Sequence, residues 1–287
     1  MVLELGIEEG SIFSHSDRTD TGGGKERVGQ ATIIVSKDGS GDTDSIAEAV
    51  KLLRKAGGTN FIKEGTYSIL EEIEVTSRQN IRFQGVGRGT KLTATANIII
   101  FDITSSDYIS FEDLYFYGQA GNVNQAIRYN SGADFGTVNN CYIENFGGNG
   151  GALQLIGNQN IVQNCFVQDN DTHGILLDGL QNTISSCVID NNGTTTDHNG
   201  IYFNSSNNNI VTSNQISNGS GNGLFLLADD ENIIIGNVIK SNADYGVEIS
   251  NAFADKNIIV GNIILLNTTG QIHDLGTGTV SANNVVA

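Results

Sequence analysis

From residue 136 onward the chain repeats one pattern of apolar and polar positions. Asparagine is followed by two apolar residues, two further positions, then cysteine or asparagine and two more apolar residues. The pattern reads Asn160-Ile-Val-Gln-Asn-Cys165, Asn182-Thr-Ile-Ser-Ser-Cys187, Asn209-Ile-Val-Thr-Ser-Asn214, Asn232-Ile-Ile-Ile-Gly-Asn237 and Asn257-Ile-Ile-Val-Gly-Asn262, with a weaker copy at Gly136-Thr-Val-Asn-Asn-Cys141. A polar turn follows each copy, then a glycine that opens a short alternating segment: Gly174-Ile-Leu-Leu, Gly200-Ile-Tyr-Phe, Gly223-Leu-Phe-Leu and Gly246-Val-Glu-Ile. Along the Cys/Asn position the spacing is 24, 22, 27, 23 and 25 residues. Segments of period two dominate, and after residue 97 no stretch has a helical apolar period. Short strands that recur at this interval cannot bury an apolar face alone. Stacked as coils about 4.8 Å apart, they form one continuous core. The pattern therefore predicts a parallel β-helix of eight or nine coils in which Cys141, Cys165, Cys187, Asn214, Asn237 and Asn262 make one inward column. Stacked asparagine amides hydrogen-bond along such a column. The cysteines read as small buried fillers rather than redox or metal ligands.

One helix is predicted, over residues 45–56. Ser45-Ile-Ala-Glu48 has the form of a capping box, and Ile46, Ala49, Val50 and Leu53 share one stripe. Lys51, Arg54 and Lys55 suit the negative end of the helix, and Gly57-Gly58 ends it. Placed just before the coils, this amphipathic helix would cap the open end of the solenoid.

The segment Ile34-Val-Ser-Lys-Asp-Gly-Ser-Gly-Asp-Thr-Asp-Ser-Ile-Ala-Glu-Ala-Val50, with Gly57-Gly58-Thr59 and Ile62-Lys-Glu-Gly-Thr-Tyr67, resembles the start of pectate-lyase-like right-handed β-helix proteins. Glu64 stands where that family usually has proline. With the coils included, the resemblance covers residues 32–287. It implies an all-β fold, a single-stranded right-handed parallel β-helix, preceded by an N-terminal arm over residues 1–31. The superfamily holds polysaccharide lyases, hydrolases, epimerases, pectin esterases, phage tailspikes and noncatalytic surface proteins, so fold alone does not select an activity. The resemblance carries the expectation of an extracellular or virion-surface protein, although Met1–Gly10 lacks the basic-then-apolar form of a secretory signal.

Charge narrows the choice. The chain has 287 residues, no proline, 36 glycines and a net charge of −17. Residues 97–287 hold three cations (Arg128, Lys240 and Lys256) against 18 acids, a balance of −15. So few cations exclude nucleic acid as a partner. No apolar run approaches the roughly 18 residues of a membrane span. Lyases with this fold commonly pair a Lys/Arg base with Ca²⁺, and three cations cannot build a dense basic groove. An uncharged or weakly charged polysaccharide, or a cell-surface glycan of that kind, fits the field better. No cofactor and no metal site is predicted, with Ca²⁺ left open because Asp169 and Asp171 are hard oxygen ligands.

Two outward rows carry the candidate chemistry. The third residue past each Cys/Asn gives Glu144, Gln168, Asp190, Ser217, Lys240 and Leu265. Glu144 and Asp190, two coils apart at about 9.6 Å, suit the acid and base of an inverting glycoside hydrolase. Asp169, Asp171, His173, Asp197 and His198 in the adjoining turns would support them. The glycine-led strands give Arg128, Gln154, Leu176, Tyr202, Phe225 and Glu248, with Asp178 and Leu227 further along. This row reads as a sugar platform of Tyr202 and Phe225 flanked by Arg128, Gln154, Asp178 and Glu248, or as an apolar contact. Two functions stay open. One is a glycan-binding β-helix that hydrolyses its ligand with paired carboxylates, a hydrolase in preference to a lyase. The other is a noncatalytic structural or adhesion β-helix, tailspike-like, packing as a homotrimer.

Overall fold

A computed structural model describes residues 31–94, 96–119, 123–148, 150–194 and 197–287. The N-terminal arm, predicted over residues 1–31, lies outside the described residues except for Ala31, and the secretory-signal reading falls wholly outside them. Three parallel sheets of eleven, nine and ten strands run the length of the molecule, each strand pairing with its counterpart in the coil before and the coil after. The solenoid makes about ten turns, more than the eight or nine read from the sequence. The first turns escape the repeat because Leu114 stands where later coils carry Cys or Asn, and it is equally buried.

The core changes along the axis. The early coils are filled by phenylalanines: Phe83 stacks on Phe111 at 5.0 Å, and Phe101 meets both edge-on or tilted at 4.7 Å. Later coils present single aliphatic residues such as Val211, Ile234 and Ile259, all fully buried. Between the sheets the chain turns sharply through left-handed residues. Asn140, Asn164, Ser186, Ser213 and Asn283 form one such column, with φ of +50 to +57°. Asn145, Asp169, Asn191 and Asn218 form another, with φ near +50 to +64°. Asparagine, aspartate and serine tolerate this conformation through local hydrogen bonds, which accounts for part of the asparagine excess.

The rest of that excess is ladder. Backbone N–H groups of Cys187, Asn214, Asn237 and Asn262 donate to the Oδ1 of the asparagine one coil on, at 2.9 Å in each case. A second ladder climbs from Asn160 through Asn182, Asn209 and Asn232 to Asn257 at 2.8–3.0 Å. These amides satisfy backbone groups that the corners would otherwise bury without partners. The three cysteines are free and buried. Burial drives the Cys165 thiol far above its usual range; at Cys187 the hydrogen bond with Cys165 adds to burial in the same direction.

The predicted helix is present but shorter, Ile46–Leu52, with Ser45 Oγ accepting from the Glu48 N–H at 3.3 Å. It ends early because Leu53 is extended and Arg78 binds the carbonyls at its end, donating to the oxygens of Val50, Leu53 and Arg54 at 3.0, 3.3 and 2.9 Å. Ile46, Ala49 and Val50 are buried, and the helix covers the first coils as expected. Among the described residues no helix is long and apolar enough to cross a membrane.

Candidate functional site

The nine-stranded sheet carries the glycine-led strands, and their outward side chains stand in register. Arg128 pairs with Gln154, Gln154 with Leu176, Leu176 with Tyr202, Tyr202 with Phe225, and Phe225 with Glu248. The row continues through Asp102 to Glu74 at one end and to His273 at the other. Its first half is a closed polar network. Arg128 forks onto Asp102 at 2.8 and 3.1 Å, which holds the guanidinium pKa above its ordinary value. Gln154 donates to Asp178 at 2.6 Å and accepts from Gln125 at 2.8 Å, while Asn204 donates to the other Asp178 oxygen at 2.6 Å.

The second half opens into a groove of about 360 Å³. Tyr202, Phe225 and Leu227 form its apolar floor; Asp197, Asp244 and Glu248 supply carboxylates, and Asn199 and Asn222 amides. No lysine or arginine is among these lining residues. The Tyr202 and Phe225 rings lie 5.4 Å apart, tilted by 54°. Asn199 Oδ1 accepts from Asn222 N–H and Nδ2 at 2.9 and 3.0 Å, so the turn is fixed to the coil above it. Glu248 faces His273 Nδ1 at 3.3 Å, and that imidazole stacks on Tyr245 at 4.8 Å.

The groove therefore takes in Tyr202, Phe225, Glu248 and Asp197. It does not take in the other predicted site residues. His173 lies behind the floor, only 9% exposed, with its ring 4.7 Å from Tyr202 and 5.2 Å from His198. Its Nδ1 accepts the Asn199 N–H at 2.9 Å, and burial, helped by His198, lowers its pKa to about 4. At neutral pH it is an uncharged support for Tyr202, a role different from the acid/base support expected of it. Arg128, Gln154 and Asp178 stand earlier on the same sheet. Asp169 is exposed at a left-handed corner and accepts from Asn191 at 2.8 Å, and Asp171 sits half-buried in the same turn.

Glu144 and Asp190 lie on the outer face of the ten-stranded sheet with Gln168 between them in register. Glu144 is 5% exposed; it accepts from the Tyr115 hydroxyl at 2.8 Å and pairs with Arg88 at 3.2 Å. Asp190 accepts from Ser217 and Asn218 at 2.6 and 2.7 Å through one oxygen. Both carboxylates are engaged within the protein and neither lines the groove. Alternation placed the column correctly but could not show that Arg88, some 56 positions earlier, reaches across to occupy Glu144.

Two acids were missed. Asp244 stands two residues before Gly246, the position that His198 holds before Gly200, so the turn alignment contained it. Asp229 is fully buried beside Leu227 and accepts from Ser206 N–H. Burial pushes its carboxyl up to about 6, with backbone hydrogen bonds opposing. It occupies a column otherwise held by small neutral residues, Ala133, Gly157, Gly179, Ser206, Ala254 and Gly276, at the same intervals as the repeat. Among the described residues no group of three or more His, Cys, Asp or Glu is arranged to hold a metal ion.

Pectinesterase 2 of Citrus sinensis is 33% identical over 131 residues, 41% of this chain and 25% of that protein, so the match spans a quarter of the relative's length. ORF18 of Geobacillus virus E2 superposes with a TM-score of 0.64 at 15% identity, over 88% of this chain and 60% of that one. The enzymatically active domain of tailspike protein 2 of bacteriophage CBA120 gives 0.65 at 10% identity, over 79% and 38%. At these identities the two structures share the fold. The model of the right-handed beta helix region matches residues 80–235 and 182–286, and the chain belongs to that family.

Proposed function

We propose that the groove on the nine-stranded sheet binds an uncharged or weakly charged glycan. The observation that carries this reading is its lining: two tilted aromatic rings and a leucine for the apolar face of a sugar, with carboxylates and amides at the rim for its hydroxyls. A lining with three acids and no cation disfavours a polyanion. A pectinesterase and a tailspike's enzymatically active domain among the similar proteins agree with a saccharide ligand and with an extracellular or virion-surface setting. Titration with a panel of neutral oligosaccharides tests it: at least one binds, and Tyr202→Ala weakens it about ten-fold or more with the fold retained. If no glycan binds, or if Tyr202→Ala leaves affinity unchanged, the reading fails.

Hydrolysis is the finer form of the same reading. Asp197, Asp244 and Glu248 line one cavity, which favours them over Glu144 and Asp190 as an acid/base set. Release of reducing ends from the bound glycan, lost in Glu248→Gln while binding persists, supports cleavage. Binding without release leaves a lectin-like β-helix.

Assembly rests on a separate observation. The outer face of the eleven-stranded sheet from Thr137 onward, through Ile161, Ile210, Ile233, Ile235, Ile258, Val260 and Val280, carries no charged residue. In so acidic a molecule this face is the one where copies meet without like-charge repulsion, and a homotrimer packed there keeps the groove open. Sedimentation of the wild type as a trimer, and of Ile235→Glu as a monomer, supports that packing. A monomeric wild type removes it.

A further inference from the structure

The turn that leads from the nine-stranded into the eleven-stranded sheet carries a column of left-handed residues. In most coils the residue is polar: Asn80, Gln159, Gln181, Asn208, Glu231 and Lys256, with φ of +54 to +60°. Two consecutive coils place aromatic residues there instead, Tyr108 and Phe135, at φ +57 and +58°. Positive φ disfavours a bulky side chain, so these rings cost the turn backbone energy. They return little to the core, since Tyr108 is 51% and Phe135 41% exposed. The two rings stack on each other, with centroids 5.1 Å apart and planes inclined by 14°. Aromatic residues that strain the backbone and stay in solvent point to a contact outside the chain.

Each ring is preceded by an aspartate. Asp107 Oδ1 accepts from the Asp134 N–H at 3.3 Å and Asp134 Oδ1 from the Asn158 N–H at 2.7 Å, which fixes both carboxylates along the turn. Among the described residues no lysine or arginine lies within salt-bridge distance of either carboxylate or over either ring. The ten-stranded sheet shows how this chain completes such a set when it supplies the cation itself. There Tyr115 and Tyr142 stand one coil apart, and the Arg88 guanidinium lies 4.7 and 4.6 Å from their centroids and 3.2 Å from the Glu144 carboxylate. The turn has the rings and the carboxylates, and none of the described residues brings a cation to it.

We propose that the Tyr108–Phe135 turn is a docking point for an arginine side chain presented by a basic segment of a partner protein. The guanidinium lies flat on an exposed ring and donates its N–H fork to Asp107 or Asp134, a combination that a compact ammonium does not make at once. The turn is a convex edge, so its ligand is presented by another surface and not enclosed in a pocket as a small molecule is. The net charge of −17 draws basic partners toward the molecule, and the ring pair gives them a fixed position.

The test titrates the protein with a blocked hexapeptide of alternating arginine and glycine, and with its lysine and citrulline counterparts. The arginine peptide is expected to bind, the other two about ten-fold or more weakly, and added salt is expected to weaken the arginine peptide. Tyr108→Gln with Phe135→Gln is expected to lower arginine-peptide affinity about ten-fold at an unchanged urea midpoint, because Gln159 and Gln181 hold the same turn. Asp107→Asn with Asp134→Asn is expected to do the same. That pair keeps the turn's acceptors, as Asn158 Oδ1 accepts the Leu180 N–H at 2.9 Å. The groove also combines rings with acids, so Tyr202→Ala is measured alongside and is expected to leave peptide affinity unchanged. Absence of binding, equal affinity for the arginine and lysine peptides, unchanged affinity in either double variant, or a loss in Tyr202→Ala alone overturns the proposal. A change in neutral-oligosaccharide affinity or in sedimentation of the glutamine variant assigns the turn to a sugar or to a second copy, and overturns it equally.

Discussion

Replacing Asn237 by alanine tests what the ladder does. Its Oδ1 accepts from the Asn214 N–H and Nδ2 at 2.9 and 3.0 Å, and its Nδ2 donates to Val211 O and Asn262 Oδ1 at 2.9 and 3.1 Å. The residue is 1% exposed, so water cannot take over these roles without opening the corner. In the alanine variant the Asn214 N–H is left without an acceptor, at about 1–3 kcal/mol, and the three remaining bonds lost add about 0.5–1.5 kcal/mol each. The sum is about 5 kcal/mol, large for a single substitution. Asn237→Cys is the internal control. The chain itself uses cysteine at this position, where Cys187 Sγ accepts the Cys165 N–H at 3.4 Å. Cysteine keeps an acceptor for the Asn214 N–H and loses the donors, so about half the cost is expected. Urea unfolding reports the global change, and hydrogen exchange at the Asn214 amide reports the corner directly. If the alanine variant lies within about 1 kcal/mol of wild type, with Asn214 still protected, the ladder is packing rather than hydrogen bonding.

Stability against pH is set by two buried groups that oppose one another. The raised pKa of Asp229 contributes stability that is present below about pH 4 and lost as pH rises through about 6, so the ionised carboxylate costs about 3 kcal/mol at neutral pH. The lowered pKa of His173 contributes stability that is present above about 6.5 and lost as pH falls through about 4, again about 3 kcal/mol. Wild-type stability is expected to be nearly flat between pH 6 and 4, while Asp229→Asn falls steeply over that range; a flat profile in the variant would refute the assignment. A thiol reagent is expected to leave Cys141, Cys165 and Cys187 unlabelled in the folded protein and to react with all three in urea. Fast labelling of any one in buffer would contradict their burial.

How much was legible follows from distance along the chain. The repeat exposes the sheets, the inward column and the outward rows because each depends on neighbours one coil away, at a near-constant interval. The early coils are less visible: Leu114 and a phenylalanine core replace the asparagine pattern there. The helix boundary depended on Arg78, and the state of Glu144 on Arg88, both contacts made across coils by long side chains that no periodicity reports. The same effect corrects the charge argument. A division of −2 and −15 along the sequence is not a division in space, since Arg88 and Lys91 come from the leading segment but lie over the coil face. The groove was half visible. Tyr202, Phe225 and Glu248 follow from alternation, whereas Asp244 depends on how a turn of variable length folds back.

Amide hydrogen exchange with and without a bound neutral oligosaccharide addresses the groove most directly. Protection confined to residues 197–203, 222–227 and 244–248 is the predicted result. Protection restricted to the ten-stranded sheet around Glu144 and Asp190, or none at saturation, would contradict a glycan site on the nine-stranded sheet.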